Sequence, residues 1–253
     1  MKITVCIRQV PDVSAPMRVR DGKLEYDAGR LVLNAYDASA VEAALELREA
    51  HGGEVHAMLL GPDRAQETIR KALAMGADTA THLKVPDDVE LDSHATAVLL
   101  AGFLRSHEFD VLAFGKQSQD TDAGLTGSMV AARLDLPYAT NAVGLSFDGD
   151  RLIVERQGDA GKEVLAIAPK CVVTCSNDMN DPRIPSLKGI MAAKRKPIDV
   201  VDVDAPSPGA SVRLDHIRYL ELPDRPPGRK LDGDPEEQVR ELVDLLRDEA
   251  RVL

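Results

Sequence analysis

Apolar positions in the first two-thirds of the chain follow two alternating rhythms, short continuous runs and helical spacings, which predicts strands and helices in turn. Residues 3–10 form a nearly continuous apolar run and predict a first strand. Residues 17–20 and 23–26 flank Asp21-Gly22, a two-residue type I′ hairpin signal. Residues 38–49 place Val41, Ala44, Leu45 and the stem of Arg48 on one helical face, and the pattern stops at Gly52-Gly53. Residues 55–60 predict the next strand. Gly61-Pro62-Asp63 then leads into a helix carrying Ile69 and Leu73 and ended by Gly76, and residues 80–83 predict a short strand. Asp92-Ser93 is the expected cap of a helix with Ala97, Leu100, Ala101 and Leu104, which feeds a strand over 111–114. Such alternation implies a parallel sheet covered on both faces, with ligands at the carboxyl ends of its strands. Asn34, Gly61 and Gly115 are expected at such ends.

After Pro137 the rhythm changes. Residues 143–147 and 151–156 flank Asp148-Gly149-Asp150, and runs over 162–167 and 170–175 follow, which predicts an antiparallel extension of the sheet. Residues 176–197 are too polar, and too punctuated by Pro182, Pro185 and Gly189, to be core. Loops of that length are usually functional or disordered. From Asp202 the prolines at 206, 208, 223, 226, 227 and 235 describe an extended arm. It ends in a helix over 235–251 with Asp234 as cap, Pro235 at its first position and a stripe of Val239, Leu242, Val243 and Leu246. The chain therefore reads as an α/β domain over 1–201 and an arm over 202–253 that needs a surface to dock on, its own domain or another chain.

The chemistry concentrates in Gly115-Lys116-Gln117-Ser118-Gln119-Asp120-Thr121-Asp122-Ala123-Gly124-Leu125-Thr126, which joins the strand over 111–114 to a helix spaced by Leu125, Met129 and Ala132. Thr121 or Asp122 is the expected cap of that helix, and Gly124 and Gly127 let another group approach its first turn. Unsatisfied N–H groups and the positive dipole end then face the loop. That pattern fits an anion or nucleotide site, or an ordinary capped helix after a strand. Two aspartates oppose a densely charged phosphate and suit one phosphate or a ribose hydroxyl better. With 31 basic and 42 acidic residues, a net charge of -11, the chain is a poor general surface for nucleic acid or anionic membrane. No apolar run approaches the roughly 18 residues of a membrane span. Met1-Lys2-Ile3-Thr4-Val5 enters a strand with no signal or transit peptide, so a soluble, cytoplasmic protein is expected. Three cysteines make no disulfide framework. Cys171 and Cys175, four apart in a strand, share a face and read as core packing, with a thiol or metal role as the alternative.

Several further runs occur in a definite order: Leu33-Asn34-Ala35-Tyr36-Asp37 before a helix; Gly61-Pro62 with Glu67-Thr68-Ile69-Arg70-Lys71-Ala72-Leu73-Ala74-Met75-Gly76-Ala77-Asp78; Gly115-Lys116-Gln117 with Asp120, Asp122, Thr126 and Gly127. Val154-Glu155-Arg156, Asp159-Ala160-Gly161, Glu163, Pro169-Lys170-Cys171-Val172-Val173-Thr174, Asp181-Pro182-Arg183, Leu187, Ile190-Met191 and a basic run follow. In this order and spacing the chain resembles the β subunit of electron-transfer flavoproteins. The resemblance implies a Rossmann-like, adenine-nucleotide-binding domain in an electron carrier that is not itself an enzyme. It implies a heterodimer whose α subunit holds the redox FAD while this chain lends a wall of the flavin pocket and binds AMP as a structural ligand. In flavin-bifurcating members a second FAD replaces AMP.

Carried onto this chain, the implied AMP contacts are Cys6 through its backbone, Asn34, Ala35, Tyr36, Asp37, Leu60 and Gly115 through Thr126. Val13 and Arg156 would lie near the flavin. Residues 175–197 would be the loop that docks on partner dehydrogenases, with Ile184, Leu187, Ile190 and Met191 on it and Leu187 as anchor; electrons would leave to an acceptor such as a quinone oxidoreductase. Gly124-Leu125 stands where the AMP-type loop usually carries Asn-Gln, so backbone donors must do more. Leu125-Thr126-Gly127-Ser128 does not match the bifurcating pattern either. Val13 replaces an aromatic expected near the flavin, and Gln157 replaces an acid that often follows the signature arginine. Two other readings compete. A stand-alone nucleotide-binding protein of the stress type would need neither the arm nor the 175–197 loop. A hydrolase or transferase would need a nucleophile with a base, and no histidine is near Ser118, Ser128 or the strand cysteines in sequence.

Overall fold

The computed structural model describes every residue except 28, 204–211, 215 and 224–226. The arm prolines at 206, 208 and 226 therefore lie outside the described residues. Two compact units emerge, Met1–Tyr219 and Leu220–Leu253.

The first unit opens with β1 (Lys2–Ile7). The apolar run does not continue straight to residue 10. It breaks at Arg8, whose N–H donates to the Asp37 carboxylate at 2.7 Å instead of to a strand. The chain resumes as β2 (Gln9–Pro11), and β3 (Arg18–Arg20) and β4 (Lys23–Glu25) form the expected hairpin. Asp21 and Gly22 both have positive φ, 51° and 75°, as a type I′ turn requires. β5 (Leu31–Leu33) pairs antiparallel with β2, so Asn34 follows a strand of a small separate sheet and not one of the main sheet. The helix α1 (Ala35–His51) starts three residues earlier than its apolar spacing predicts.

β6 (Glu54–Gly61), α2 (Gln66–Met75), β7 (Thr79–Lys84), α3 (Ser93–Leu104), β8 (Val111–Gly115) and α4 (Thr126–Leu134) then alternate as the pattern predicts. Asp92 caps α3, accepting from the Ala95 N–H at 2.7 Å. Its other oxygen accepts from Arg213 and Leu214 N–H (2.6 and 3.1 Å), which ties these two residues to the start of α3. β9 (Tyr138–Asp148), β10 (Arg151–Gly158) and β11 (Gly161–Ile167) form an antiparallel meander. β12 (Cys171–Cys175) corrects the prediction for 170–175, because it lies between β8 and β9 and is parallel to both. All five of its residues are buried, and a strand covered on both faces gains most in the middle of a parallel sheet.

A short helix, α5 (Leu187–Ala193), interrupts the predicted 176–197 loop, and β13 (Asp199–Asp202) closes the sheet edge beside β7. The nine-stranded order is β11-β10-β9-β12-β8-β1-β6-β7-β13. One face packs Val41, Leu45, Ile69 and Leu73 of α1 and α2 on Val5, Leu59 and Val173. The other packs Ala97, Leu100, Leu104 and Val130 of α3 and α4 on Met58, Leu112 and Val172. Cys171 and Cys175 belong to the first cluster, where burial pushes their thiols up to about 11 and about 12. They are packing residues. In the second unit α6 (Pro235–Asp244) starts on an Asp234–Glu237 capping box, and the chain continues through one π turn, Leu245–Glu249, so the predicted 235–251 helix is regular only in its first part.

At the amino end of the sheet, His56 is held by two hydroxyls, Nδ1 to Thr79 Oγ1 at 2.8 Å and Nε2 to Thr81 Oγ1 at 3.0 Å. The His107 ring lies 4.9 Å away. Burial first, and then the neighbouring His107, push His56 down to about 4, with Asp199 pulling weakly the other way. A free histidine titrates near 6.5, so the unfolded chain binds the extra proton between these values. Stability from this site is complete above about 6.5 and falls as pH drops towards 4. Between pH 7 and pH 5 the wild type should lose about 2 kcal/mol relative to His56→Gln, read from paired urea unfolding curves. Parallel curves would show that the site does not couple to folding.

Candidate functional site

β1, β6 and β8 end side by side, with Cys6 opposite both Met58 and Phe114 in the parallel ladders. Cys6, Leu60 and Gly115 thus lie at one carboxyl edge, where the alternation predicts Gly61 and Gly115. The loop that leaves β8 is clasped by Asn34. Its Nδ2 donates to Gln117 O at 2.9 Å, and its Oδ1 accepts from Gln119 N–H at 3.0 Å. Asn34 is the N-cap of α1, yet its side chain makes no cap bond; the Gln119 side chain performs that role by accepting from Ala35 N–H at 3.1 Å. The exchange ties two loops far apart in sequence.

Asp37 completes the cradle from beneath. One carboxylate oxygen accepts from Gly115 N–H at 2.9 Å and the other from Arg8 N–H at 2.7 Å. Burial pushes this carboxyl up to about 7, while the two N–H donors pull it the other way. The contact admits only glycine at 115, because a Cβ there would lie 2.7 Å from both Asp37 N and the Tyr36 carbonyl carbon. At the far end of the loop Gly127 allows the same closeness, since its Cβ would lie 2.8 Å from Thr174 Cγ2.

Both aspartates of the loop are engaged. Asp120 is hydrogen-bonded by the Ser118 hydroxyl and pairs with Arg8 Nη2 at 3.5 Å. Asp122 sits at φ 53° and accepts from Gln117 Nε2 at 2.8 Å. Neither Thr121 nor Asp122 caps α4, contrary to the sequence expectation. Leu125 holds the N-cap position, and its apolar side chain makes no cap bond. The Asp122 carboxylate is engaged by Gln117 instead, and among the described residues no side chain accepts from the first-turn N–H groups of α4. Lys116 is anchored through its N–H to Cys175 O at 2.7 Å.

Val13 is exposed, and Arg156 is partly exposed and paired with Glu163 at 3.6 Å. Among the described residues, no hydrogen bond or ion pair joins either to the 115–126 loop. Ile184, Leu187, Ile190 and Met191 form a separate apolar crown, with Ile184 92% and Leu187 76% exposed. Ser186 caps α5 through Gly189 N–H at 3.1 Å, and Gly189 is pressed against Ala74 of α2, where a Cβ would lie 2.6 Å from the carbonyl oxygen. Arg70 donates to Ala193 O at 2.6 Å and also to Lys196 O. Periodicity missed Arg8 and Arg70 as organisers of these sites, because each acts across the fold.

A mostly parallel α/β sheet with a clasped strand-to-helix loop at its carboxyl edge defines a Rossmann-like protein. The electron transfer flavoprotein domain family matches residues 24–206. The chain is 33% identical over 257 residues to electron transfer flavoprotein subunit beta of Bacillus subtilis (strain 168), covering 100% of both. It is 34% identical to the human protein of the same name, covering 100% of this chain and 99% of that one. Over 203 residues it is 37% identical to the caffeyl-CoA reductase-Etf complex subunit CarD of Acetobacterium woodii, covering 79% of this chain and 78% of that one. The chain belongs to the electron transfer flavoprotein family, as a β subunit serving electron transfer. Among the described residues, no helix is long and apolar enough to cross a membrane, and no group of three or more histidine, cysteine or acidic residues could hold a metal.

Proposed function

We propose that this chain pairs with an α subunit in a cytoplasmic electron carrier, receives electrons from a flavin dehydrogenase docked on residues 175–197, and passes them to an acceptor such as a quinone oxidoreductase. FAD is held mainly by the α subunit and supplies the redox chemistry when bound. AMP occupies the carboxyl edge of this chain as a structural ligand. The carrying observation is the α4 entry, a helix N-terminus with no side-chain cap among the described residues, after a loop whose two aspartates are already paired or hydrogen-bonded. Such an entry suits one phosphate. The residues present fit AMP: main-chain N–H groups near Thr126 and Gly127 for the phosphate, and the Asn34–Asp37 turn with Cys6 and Leu60 around the nucleoside. Val13 and Arg156 are assigned to the flavin side. The chain itself moves no proton and forms no covalent intermediate.

Purified with its α subunit, the complex should carry one reducible FAD and one AMP per heterodimer, and this chain alone should be colourless. Flavin absorbance against protein concentration, with chromatography of the acid-released nucleotides, decides it. Two reducible FAD and no AMP would replace the reading by the bifurcating one. Absence of any flavin-bearing second chain would favour a stand-alone nucleotide-binding protein.

A further inference from the structure

The segment before the apolar crown is fastened to α1 by one guanidinium. Arg183 Nε donates to both oxygens of Glu42 at 3.0 and 2.9 Å, and Nη2 donates to Glu42 Oε1 at 2.9 Å. The Arg183 main-chain N–H adds a bond to Glu42 Oε2 at 2.9 Å. The outer edge of the fork reaches Glu49, with Nη1 to Oε1 at 2.6 Å and Nη2 to Oε2 at 3.2 Å. Only 7% of the Glu42 side chain is exposed, against 50% of Glu49. Glu42 and Glu49, two helical turns apart, lie on one stripe of α1. Glu46 lies between them, its carboxyl pushed up by partial burial and by the charge of Glu42 and pulled down by Arg183. Three residues earlier, Asn180 donates to Ser39 O at 3.1 Å on the same helix.

We propose that Arg183 is the positioning residue of the docking segment. It holds the chain against α1 immediately before Ile184 and four residues before Leu187, so the crown is presented already ordered. This rests on the docking role proposed above for residues 175–197. The geometry favours presentation over simple stabilisation. A buried ion pair adds little net stability compared with an apolar pair of the same size, but a fork satisfied on both edges fixes one register of the segment. A segment ordered only on contact would lose affinity to the cost of ordering its residues.

The test uses the complete heterodimer and two electron donors, a flavin dehydrogenase that reduces the wild type and dithionite, which requires no docking. Arg183→Met should raise the KM of the dehydrogenase for the heterodimer about tenfold, with kcat within about twofold. Dithionite reduction and flavin content should not change, and amides 180–187 should exchange hydrogen faster. Arg183→Lys keeps the charge without the fork and should restore only part of the affinity. Leu187→Ala, run alongside, should raise KM about ten- to hundredfold without altering exchange in 180–187. A KM raised by Leu187→Ala and unmoved by Arg183→Met overturns the positioning role and leaves docking intact. A KM unmoved by Leu187→Ala overturns docking itself. If Arg183→Met yields no folded heterodimer, Glu49→Gln decides, since it cuts only the exposed limb: a smaller KM rise with faster exchange supports the role, and no change in either overturns it.

Discussion

Gly115→Ala is expected to cost about 2–4 kcal/mol of stability and to empty the nucleotide site. The new Cβ would lie 2.7 Å from main-chain atoms of Tyr36 and Asp37, and backbone at the start of a helix cannot turn aside as a side-chain end can. Either the β8 end or the first turn of α1 must shift. Both shifts break the Gly115 N–H bond to Asp37 and loosen the Asn34 clasp on Gln117 and Gln119. Gly102→Ala provides the control, because that glycine lies inside α3 with nothing within 4 Å of its Cβ position. It should raise stability by about 0.5–1 kcal/mol. Urea unfolding and nucleotide content of the two purified variants read the contrast, and a Gly115→Ala protein that melts like wild type with its nucleotide retained would refute the cradle.

Ending the chain at Tyr219 is expected to abolish heterodimer formation while the first unit stays folded. α6 has a capping box, a proline at its first position and an apolar stripe, yet none of its residues is buried, and Val239 and Leu242 are 59% and 46% exposed. A ten-residue helix is marginal in water without a surface to cover its stripe. A partner chain supplies that surface in this reading. The cut at Tyr219 spares β13, the Asp92 bonds to Arg213 and Leu214, and the Tyr219 N–H bond to Gly22 O at 2.8 Å. A cut at 201/202, the boundary composition suggests, would take Asp202 from β13. Size-exclusion chromatography of the truncated chain mixed with the α subunit reads the result. A normal heterodimer would show that the last helix is not the docking element.

Local pattern alone determined the alternating architecture, the type I′ turn at Asp21-Gly22, the Asp92 and Asp234 caps and the loop after β8. Each rests on neighbours within a few residues, where periodicity and turn chemistry act directly. Tertiary structure decided the rest. β12 reads like the antiparallel strands before it, and only burial on both faces placed it in the middle of the sheet, parallel to its neighbours. Thr121 and Asp122 have capping side chains, but Gln117 and the turn at Asp122 drew that carboxylate into the loop. Asn34 passed its capping role to Gln119, eighty-five residues away, because that exchange satisfies backbone groups on both loops. Glu42 is buried on α1, and the cation that neutralises it, Arg183, comes from 141 positions along the chain. Hydrophobic period reports which face is buried, whereas charge pairing and backbone satisfaction depend on which distant segment the fold lays across that face.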